Sequence, residues 1–256
     1  IDLWVFEPEV KDQIVNFREN RVFLPGIQLS PNIRPTHLIR EAVADKDLLL
    51  VVVPSHVMRE TSGNMAESLD PKTLVVTASK GIENKTHRSM SAILMETLPG
   101  ISSDRLSVLS GPSFAAEVAR HAPTVVTVAS CNIATARMVQ RIFSTPAFRV
   151  YTSDDVVGVE LGGAVKNVIA IASGILEGLG LGYNTRAALI TRGMTEIRRL
   201  GIALGANPRT FTGPAGIGDL ILTCTADMSR NYTVGEKIGQ GQTLAAILSE
   251  MRMVAE

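Results

Sequence analysis

The sequence is poor in cysteine and carries no net charge. Cys131 and Cys224 are its only cysteines, they form no CxxC pair, and the four histidines show no metal-ligand spacing. This pattern argues against a disulfide framework and against a metal site. Lys and Arg number 25, as do Asp and Glu. The balanced charge argues against a nucleic-acid-binding protein, because such domains carry a basic face.

Long apolar runs and a secretion signal are also absent. A membrane-spanning helix needs about 18 uninterrupted apolar residues. The nearest candidate, residues 161–182, is interrupted by Lys166, Glu177 and several glycines. The chain opens on Ile-Asp-Leu-Trp without a basic region, which is not the start of a signal peptide. The two cysteines also fit a reducing compartment, so we expect a cytoplasmic protein without an integral membrane segment.

The first half of the chain alternates short β-rich runs with amphipathic stretches that predict helices. The run Leu48–Val53 (LLLVVV) is β-branched and stops at Pro54, which favours a strand buried on both faces. The other predicted strands are Leu3–Phe6, Thr73–Ala78, Leu106–Ser110, Val125–Ala129 and Phe148–Tyr151. The alternation predicts a mostly parallel sheet covered by helices on both faces.

After about residue 152 the character of the sequence changes. No strand pattern follows, and the periodicity predicts long helices at Asp154–Leu176, Asn184–Leu204 and Ala215–Asp227. We therefore predict an α/β domain over residues 1–152 and an all-α domain over residues 153–256. No low-complexity linker separates the two, so their border should be tight, and such borders often carry substrate sites.

One motif of the α/β class is missing. Dinucleotide-binding folds carry G-x-G-x-x-G after their first strand, and none of the G-x-G triplets here, which begin at Gly178, Gly180, Gly216 and Gly239, completes it. The chain begins instead on what resembles the second strand of such a fold, followed by Glu7, which would meet a ribose. The simplest interpretation is a Rossmann-like sheet whose first βα unit lies upstream of residue 1.

Lys166 is the only charged residue of the apolar segment Leu161–Leu176. Burial of an ammonium is unfavourable unless the group is paired or functional. Burial also lowers the pKa of a lysine toward the range that suits proton transfer. Gly162 and Gly163 would be tolerated in this helix if a second backbone or a ligand packs closely against them. The alternative is a lysine whose side chain extends to the surface.

A second candidate cluster lies between residues 213 and 231. Asp219 and Thr223 are four residues apart and share a helix face, and the glycine-rich entry presents bare N–H groups that attract anions. A hydroxyl, a guanidinium and an amide that suit a phosphate follow one another at Ser229, Arg230 and Asn231. The sequence is equally compatible with Asp219 as a helix cap and Arg230 as a surface cation.

Glycine-bearing or polar turns follow three of the predicted strands. They are residues 54–56 (Pro-Ser-His), 79–81 (Ser-Lys-Gly) and 111–113 (Gly-Pro-Ser). Open α/β sheets bind ligands at the carboxyl ends of their parallel strands. The three turns would therefore line one edge of the sheet, where Lys80 would add positive charge. Each turn alone is a weak signal.

Together these segments closely resemble one known family, the bacterial NAD(P)-dependent glycerol-3-phosphate dehydrogenases. The resemblance covers essentially the whole chain. It rests on GPSFAAE (Gly111–Glu117), LGGAVKNVIAIASG (Leu161–Gly174), ALITRGMTEIRRLG (Ala188–Gly201) and GPAGIGDLILTC…SRN (Gly213–Asn231), with VVVPSH, ASKGIE and MVAE in support. The family's glycine fingerprint and its further C-terminal helices have no counterpart here, so we expect a chain truncated at both ends.

The resemblance implies a role for each site residue. Lys166 would be the catalytic acid/base at the C2 oxygen of the substrate. The substrate would contact Lys80, Gly111, Ser113, Asn167, Asp219, Thr223, Ser229, Arg230 and Asn231. The cofactor, NAD or NADP, would contact Phe6, Glu7, Lys80, Ala115, Arg230, Val254 and Glu256. An acidic Glu7, where NADP-using members tend to carry a basic residue, favours NAD.

The implied reaction is the reversible reduction of dihydroxyacetone phosphate to sn-glycerol 3-phosphate, which feeds glycerophospholipid synthesis. A homodimer is a further expectation. Two alternatives stay open. The first is a related β-hydroxyacid dehydrogenase, which shares the two domains and a Lys-Asn pair but needs a carboxylate site. The second is a non-catalytic protein that binds a phosphorylated metabolite.

Overall fold

A computed structural model describes residues 1–250 as a strand-rich half followed by a helical half. The strands are β1 (Asp2–Trp4), β2 (Arg34–Thr36), β3 (Leu48–Val51), β4 (Leu74–Thr77), β5 (Leu106–Ser110), β6 (Thr124–Ala129) and β7 (Phe148–Ser153). The helices are α1 (Pro8–Phe17), α2 (Ile39–Val43), α3 (Met58–Met65), α4 (Met90–Thr97), α5 (Ala115–Ala119), α6 (Ile133–Phe143), α7 (Val156–Gly178), α8 (Gly182–Ala203), α9 (Asp219–Thr225), α10 (Arg230–Gly239) and α11 (Leu244–Glu250).

The strands form two sheets. β1 pairs with β2 in parallel, and a second sheet runs in the order β3-β4-β5-β6-β7. Within it β5 and β6 pair antiparallel, with Val108 opposite Ala129, and the other pairs are parallel. This architecture confirms the predicted Rossmann-like α/β class with a helical second half. An upstream βα unit is not tested by residues 1–250 and stays a prediction.

Two details of the strand prediction were wrong. β3 forms an edge of its sheet, and Leu50 and the following Val52 are 42% and 60% exposed, so this strand is not buried on both faces. β2 and α2 were not predicted. Pro35 lies within β2 and lacks the N–H that a strand interior uses, and α2 is five residues long, too short for a helical period to show.

Helices cover both faces of the five-stranded sheet. Val75 and Val76 are neighbours on β4, so their side chains point to opposite faces. Val75 belongs to a buried cluster with Met58 of α3 and Met90 of α4. Val76 belongs to a second cluster with Val139 of α6. The sheet is therefore the middle layer of three, and its strand ends stay free to meet the helical half.

α7 runs through the centre of the helical half and packs against α8, α9 and α10. It begins at the cap Asp155, whose Oδ1 accepts a 2.9 Å hydrogen bond from the N–H of Gly158. By length and composition alone α7 could cross a membrane, but half of its most apolar stretch is buried inside the fold. Core helices of globular proteins have the same property, so α7 is no clear membrane span.

α7 and α10 pack backbone to backbone through glycines. A Cβ built on Gly174 would lie 2.0 Å from the carbonyl oxygen of Tyr232, and one built on Gly235 would lie 2.0 Å from that of Ile171. Farther along α7, a Cβ built on Gly178 would overlap the carbonyl oxygen of Glu236 in the same way. Gly174 contacts Tyr232 and Gly178 contacts Gly239 farther along both helices, which therefore run parallel. The register places the start of α10 within about one helical turn of Lys166, measured along α7.

We expect the substitution Gly235→Ala to lower the free energy of unfolding by about 3 kcal/mol, because the new methyl group would overlap the carbonyl of Ile171. Urea denaturation of the two proteins measures the difference. Gly63→Ala is the matched control. Gly63 lies on α3 with nothing within 4 Å of an added Cβ, so alanine there should stabilise by about 0.5–1 kcal/mol. Equal stability of wild type and Gly235→Ala would contradict the close packing.

Candidate active site

A buried lysine forms the centre of the candidate site. The Nζ atom of Lys166 on α7 donates to Oδ1 of Asp219 and to Oγ1 of Thr223, both at 2.6 Å. The two acceptors lie on one face of α9. Lys166 is 7% exposed and Asp219 1%, so the ammonium does not extend to the surface and the carboxylate makes no helix-capping hydrogen bond.

A second lysine reaches the same carboxylate from the α/β half. Lys80 lies on the turn after β4, and its Nζ donates to Oδ2 of Asp219 at 2.5 Å and to the carbonyl of Gly111 at 3.2 Å. Each oxygen of Asp219 therefore accepts from one ammonium group. Two ammonium groups and one carboxylate leave an excess positive charge at the border of the two halves. This charge suits an anion or an oxygen that gains negative charge.

Two glycines of α7 allow this close approach. A Cβ on Gly162 would lie 2.4 Å from the carbonyl oxygen of Ala215, and one on Gly163 would lie 2.7 Å from Oγ of Ser110 and 3.4 Å from Cδ of Lys80. α7 thus touches the segment that enters α9 on one side and the strand ends on the other. Side chains here would push the Lys166-bearing helix away from both.

The entry to α9 is not the regular α-helix that the sequence predicted from Ala215. Pro214–Gly218 forms a π-helical turn that continues into Asp219–Thr225. Wider π turns occur frequently at functional sites. Here the turn ends directly before Asp219, and the hydroxyl of Thr223 donates to the backbone carbonyl of Asp219 at 2.6 Å. That bond orients the hydroxyl so that its lone pair accepts from Lys166.

The surroundings lower the pKa of Lys166 to about 8. Burial disfavours the charged form and is the largest cause, and the positive charge of Lys80 adds to it, whereas Asp219 opposes both. The neighbouring Cys224 is affected in the other sense, since burial raises the pKa of its thiol to about 12. The thiol therefore stays protonated at neutral pH. Of these two groups, Lys166 is the one suited to exchange a proton near neutral pH.

Three other predicted residues lie on α7 or directly after β5. Asn167 follows Lys166 on α7, is half-buried, and its side chain makes no hydrogen bond with residues 1–250. Ser113 is exposed, and its hydroxyl donates to the carbonyl of Gly111 at 3.1 Å. Ala115 is the exposed first residue of α5. Ser113 and Ala115 follow the end of β5, whereas Asn167 lies on α7 next to Lys166.

The residues predicted to bind the substrate phosphate lie at the start of α10. Ser229 is the helix cap, and its Oγ accepts from the N–H of Tyr232 at 3.3 Å. Asn231 is 8% exposed, and within the described chain its buried Oδ1 has no hydrogen-bond partner. Arg230 is exposed. A guanidinium and a side-chain amide suit an anion, and the packing of α10 against α7 places them close to Asn167 along α7.

Phe6 and Glu7 lie on the turn after β1, away from the lysine cluster. Phe6 is 76% exposed, and the half-buried Glu7 forms no ion pair with any residue in the range 1–250. An acidic residue at the end of such a strand suits a ribose hydroxyl, so this turn fits a dinucleotide. Val254 and Glu256 lie outside the described residues.

The structure adds two polar residues that the sequence reasoning missed. Ser110 ends β5, is 3% exposed, and within residues 1–250 its Oγ has no hydrogen-bond partner. Glu160 on α7 is 8% exposed, and its carboxylate accepts from the N–H of Ser91 at 2.7 Å and from its hydroxyl at 2.6 Å. Glu160 thereby ties α7 to the start of α4. The position of Glu160, a single acidic residue directly before an apolar segment, is the sequence feature that could have indicated a buried and paired carboxylate.

A Rossmann-like sheet joined to a helical half, with a buried lysine and its carboxylate at the border, indicates an oxidoreductase. Comparisons with known proteins narrow this class. Residues 1–136 match the sequence profile of the NAD-dependent glycerol-3-phosphate dehydrogenase N-terminus, and residues 155–256 match that of the C-terminus. The chain belongs to the NAD-dependent glycerol-3-phosphate dehydrogenase family.

Relatives and solved structures agree with this assignment. The chain is 55% identical over 256 residues to proteins of Geobacter metallireducens and Geobacter sulfurreducens, each named glycerol-3-phosphate dehydrogenase [NAD(P)+], and covers 76% of either. The structure of glycerol-3-phosphate dehydrogenase from Coxiella burnetii is 36% identical with a TM-score of 0.94, over 99% of this chain and 77% of that one. The Saccharomyces cerevisiae enzyme is 28% identical with a TM-score of 0.84, over 99% and 76%.

We expect the substitution Lys80→Met to raise the pKa of Lys166 above its value of about 8, because the positive charge of Lys80 is one of the causes that lower it. NMR titration of 15N-labelled lysine side chains measures this pKa. The substitution Lys72→Met, at an exposed position of the opposite strand end, should leave the titration of Lys166 unchanged. A pKa that stays at about 8 or falls in Lys80→Met would show that the two ammonium groups do not interact.

Proposed function

We propose that this protein catalyses the reversible NAD(P)-dependent reduction of dihydroxyacetone phosphate to sn-glycerol 3-phosphate. The buried Lys166–Asp219–Lys80 cluster at the border of the two halves carries the proposal. It combines a proton donor with a pKa of about 8 and an excess positive charge. The 55% identical relatives, named glycerol-3-phosphate dehydrogenase [NAD(P)+], support glycerol 3-phosphate as the substrate, and the supply of glycerol phosphate for phospholipid synthesis is part of the same proposal.

Lys166 supplies the proton in this reaction. In the direction of reduction the C2 oxygen of the substrate gains negative charge, which the ammonium of Lys166 stabilises before donating a proton to it. A nicotinamide cofactor held by the residues assigned to it below would supply the hydride. Asp219 and Thr223 hold the ammonium in place through their 2.6 Å hydrogen bonds. In the oxidative direction the neutral amine accepts the proton from the C2 hydroxyl.

The substrate phosphate lies at the start of α10 in this proposal. Ser229, Arg230 and Asn231 supply a hydroxyl, a guanidinium and an amide, and the Oδ1 of Asn231, which has no partner within the described residues, accepts from a substrate hydroxyl. Lys80 and Asn167 hold the three-carbon end beside Lys166, and Gly111 and Ser113 close the pocket from β5. Binding energy from the phosphate then aligns C2 with the proton donor.

The remaining assignments are proposals of the same kind. Phe6, Glu7, Lys80, Ala115 and Arg230 hold the dinucleotide, and the acidic Glu7 favours NAD over NADP because it would repel a 2′-phosphate. Val254 and Glu256 stay predicted cofactor contacts. The domains span residues 1–152 and 153–256. A cytoplasmic homodimer without nucleic-acid partners also stays a prediction, whose oligomeric part light scattering would measure.

A substrate panel tests the proposed function against its two alternatives. The full-length protein should oxidise NADH in the presence of dihydroxyacetone phosphate and not with 2-methyl-3-oxopropanoate. The opposite preference would favour a β-hydroxyacid dehydrogenase. Calorimetry with NADH addresses the other alternative, because a protein that binds dihydroxyacetone phosphate but neither binds nor oxidises NADH would be a non-catalytic binder.

We expect Lys166→Met to lower kcat for dihydroxyacetone phosphate reduction by about 10²–10⁴-fold, since the proton donor is lost. NADH binding should change little, because Lys166 is not among the proposed dinucleotide contacts. Absorbance of NADH measures turnover and fluorescence titration measures binding. Lys72→Met, the same substitution at an exposed position, serves as the control. Near-normal turnover of Lys166→Met would remove Lys166 from its proposed role.

The two directions should depend on pH in opposite senses. Reduction needs the ammonium, so its kcat/KM should be level below pH about 8 and fall above it. Oxidation needs the neutral amine, so its kcat/KM should rise up to pH about 8 and then level off. Initial rates between pH 6 and pH 10 (on the order of nine points) measure both profiles. Parallel profiles would exclude a single acid/base group in this role.

A further inference from the structure

The turn that carries Lys80 is held by an ion pair outside the site. The guanidinium of Arg59 on α3 donates from Nε to Oε1 and from Nη2 to Oε2 of Glu83, both at 2.8 Å. The hydroxyl of Thr86 also donates to Oε2 of Glu83. Such a two-pronged pair fixes direction as well as distance. Glu83 lies three residues after Lys80, in the loop between β4 and α4.

The same arginine ties this turn to a second helix. Nη2 of Arg59 donates to Glu96 on α4 at 2.9 Å, and Arg88 forms an ion pair with the other oxygen of Glu96 at 3.1 Å. The hydrogen bonds of Arg59 and Thr86 lower the pKa of Glu83 to about 2, so the pair stays ionised throughout the pH range of an assay. Arg59 thus contacts α4 as well, but the two bonds to Glu83 are the ones that join α3 to the loop after Lys80.

The backbone between Lys80 and these anchors has little freedom. On one side the hydroxyl of Ser79 donates to the carbonyl of Val53 at 2.6 Å. On the other, Gly81 has a φ of +141°, and a Cβ there would lie 2.6 Å from Cβ of Ser55. Lys80 is therefore held between a buried hydrogen bond and the Arg59–Glu83 pair, which together set the direction from which its ammonium reaches Asp219.

We propose that Glu83, through its two-pronged pair with Arg59, is a positioning residue that keeps the ammonium of Lys80 on Asp219 and in reach of the substrate. The inference rests on the proposed function for its substrate, but the positioning itself is a property of the structure. Glu83 touches no reacting atom. Its loss should loosen the segment that follows Gly81 and weaken the contact between the Lys80 ammonium and Asp219, whereas Lys166 and Asp219 stay in place on their own helices.

The weakened contact of Lys80 has an electrostatic signature. Among residues 1–250, the charged or titratable groups that face Lys166 are Lys80 from the turn after β4, and Asp219 and Cys224 from α9. Lys80 lowers the pKa of Lys166 and Asp219 raises it. A loosened Lys80 therefore lets the pKa of Lys166 rise, and the fall of dihydroxyacetone phosphate reduction at alkaline pH moves to higher pH. A merely structural defect would not move it.

Four variants of the full-length protein test the proposal. Glu83→Gln removes the ion pair at nearly constant size, and Arg59→Lys keeps the charge without the two-pronged geometry. Glu96→Gln leaves the Arg59–Glu83 pair intact, and Glu67→Gln breaks a surface pair with Arg40 whose carboxylate side chain is 80% exposed. Steady-state kinetics, thermal denaturation and 15N-lysine NMR are measured for each.

Glu83→Gln and Arg59→Lys should raise KM for dihydroxyacetone phosphate by about tenfold or more, with a smaller change in kcat. In both, the pKa of Lys166 should shift upward, in the direction that Lys80→Met shows. Glu96→Gln and Glu67→Gln should keep wild-type KM and pH profile. A variant of Glu83 or Arg59 with lowered thermal stability but unchanged KM and unchanged Lys166 titration would overturn the proposal.

The two proposals fail separately. A wild-type protein that does not reduce dihydroxyacetone phosphate would refute the proposed function, and the NMR titration of Lys166 would still decide the role of Glu83. Should Glu83→Gln not fold, Arg59→Lys gives the same readouts, since the lysine keeps one hydrogen bond and the charge. An unchanged Lys166 titration in Arg59→Lys would then be the overturning result.

Discussion

The carboxylate of Asp219 is the group on which the rest of the site depends. It accepts one ammonium on each oxygen, from Lys166 within the helical half and from Lys80 in the α/β half, at 2.6 Å and 2.5 Å. Without it two like charges would face each other away from water, which is strongly unfavourable. The glycines of α7, the π-helical entry to α9 and the turn after β4 all serve to bring these groups to one point.

Lys166 could be recognised from sequence because its surroundings are apolar for a whole helix, and Asp219 and Thr223 because their spacing places them on one face. The contact between Lys80 and Asp219 could not be predicted from the sequence. These residues are 139 positions apart, and no periodic pattern joins them. The rule for parallel strand ends placed Lys80 at the correct edge of the sheet, but the partner that it meets there follows from how the two halves pack.

The limits of the fold prediction have similar physical causes. Strands such as β4 and β6 could be predicted because β-branched residues run through them, while β2 is short and contains Pro35. The antiparallel pairing of β5 with β6 leaves no mark in the residue pattern, since a buried strand reads the same in either direction. Ser110 and Glu160 were missed for a related reason. The role of a single serine or glutamate depends on the residues that tertiary packing places beside it.

The glycine contacts between α7 and α10 have a consequence for substrate size. Backbone touches backbone there, so neither helix can slide to accommodate a different ligand. If one helix carries the proton donor and the other binds the phosphate, their fixed register sets the number of carbon atoms that fit between carbonyl and phosphate. Homologous sugar phosphates would then be discriminated by main-chain geometry, and enlarging the pocket by side-chain truncation would not relax that choice.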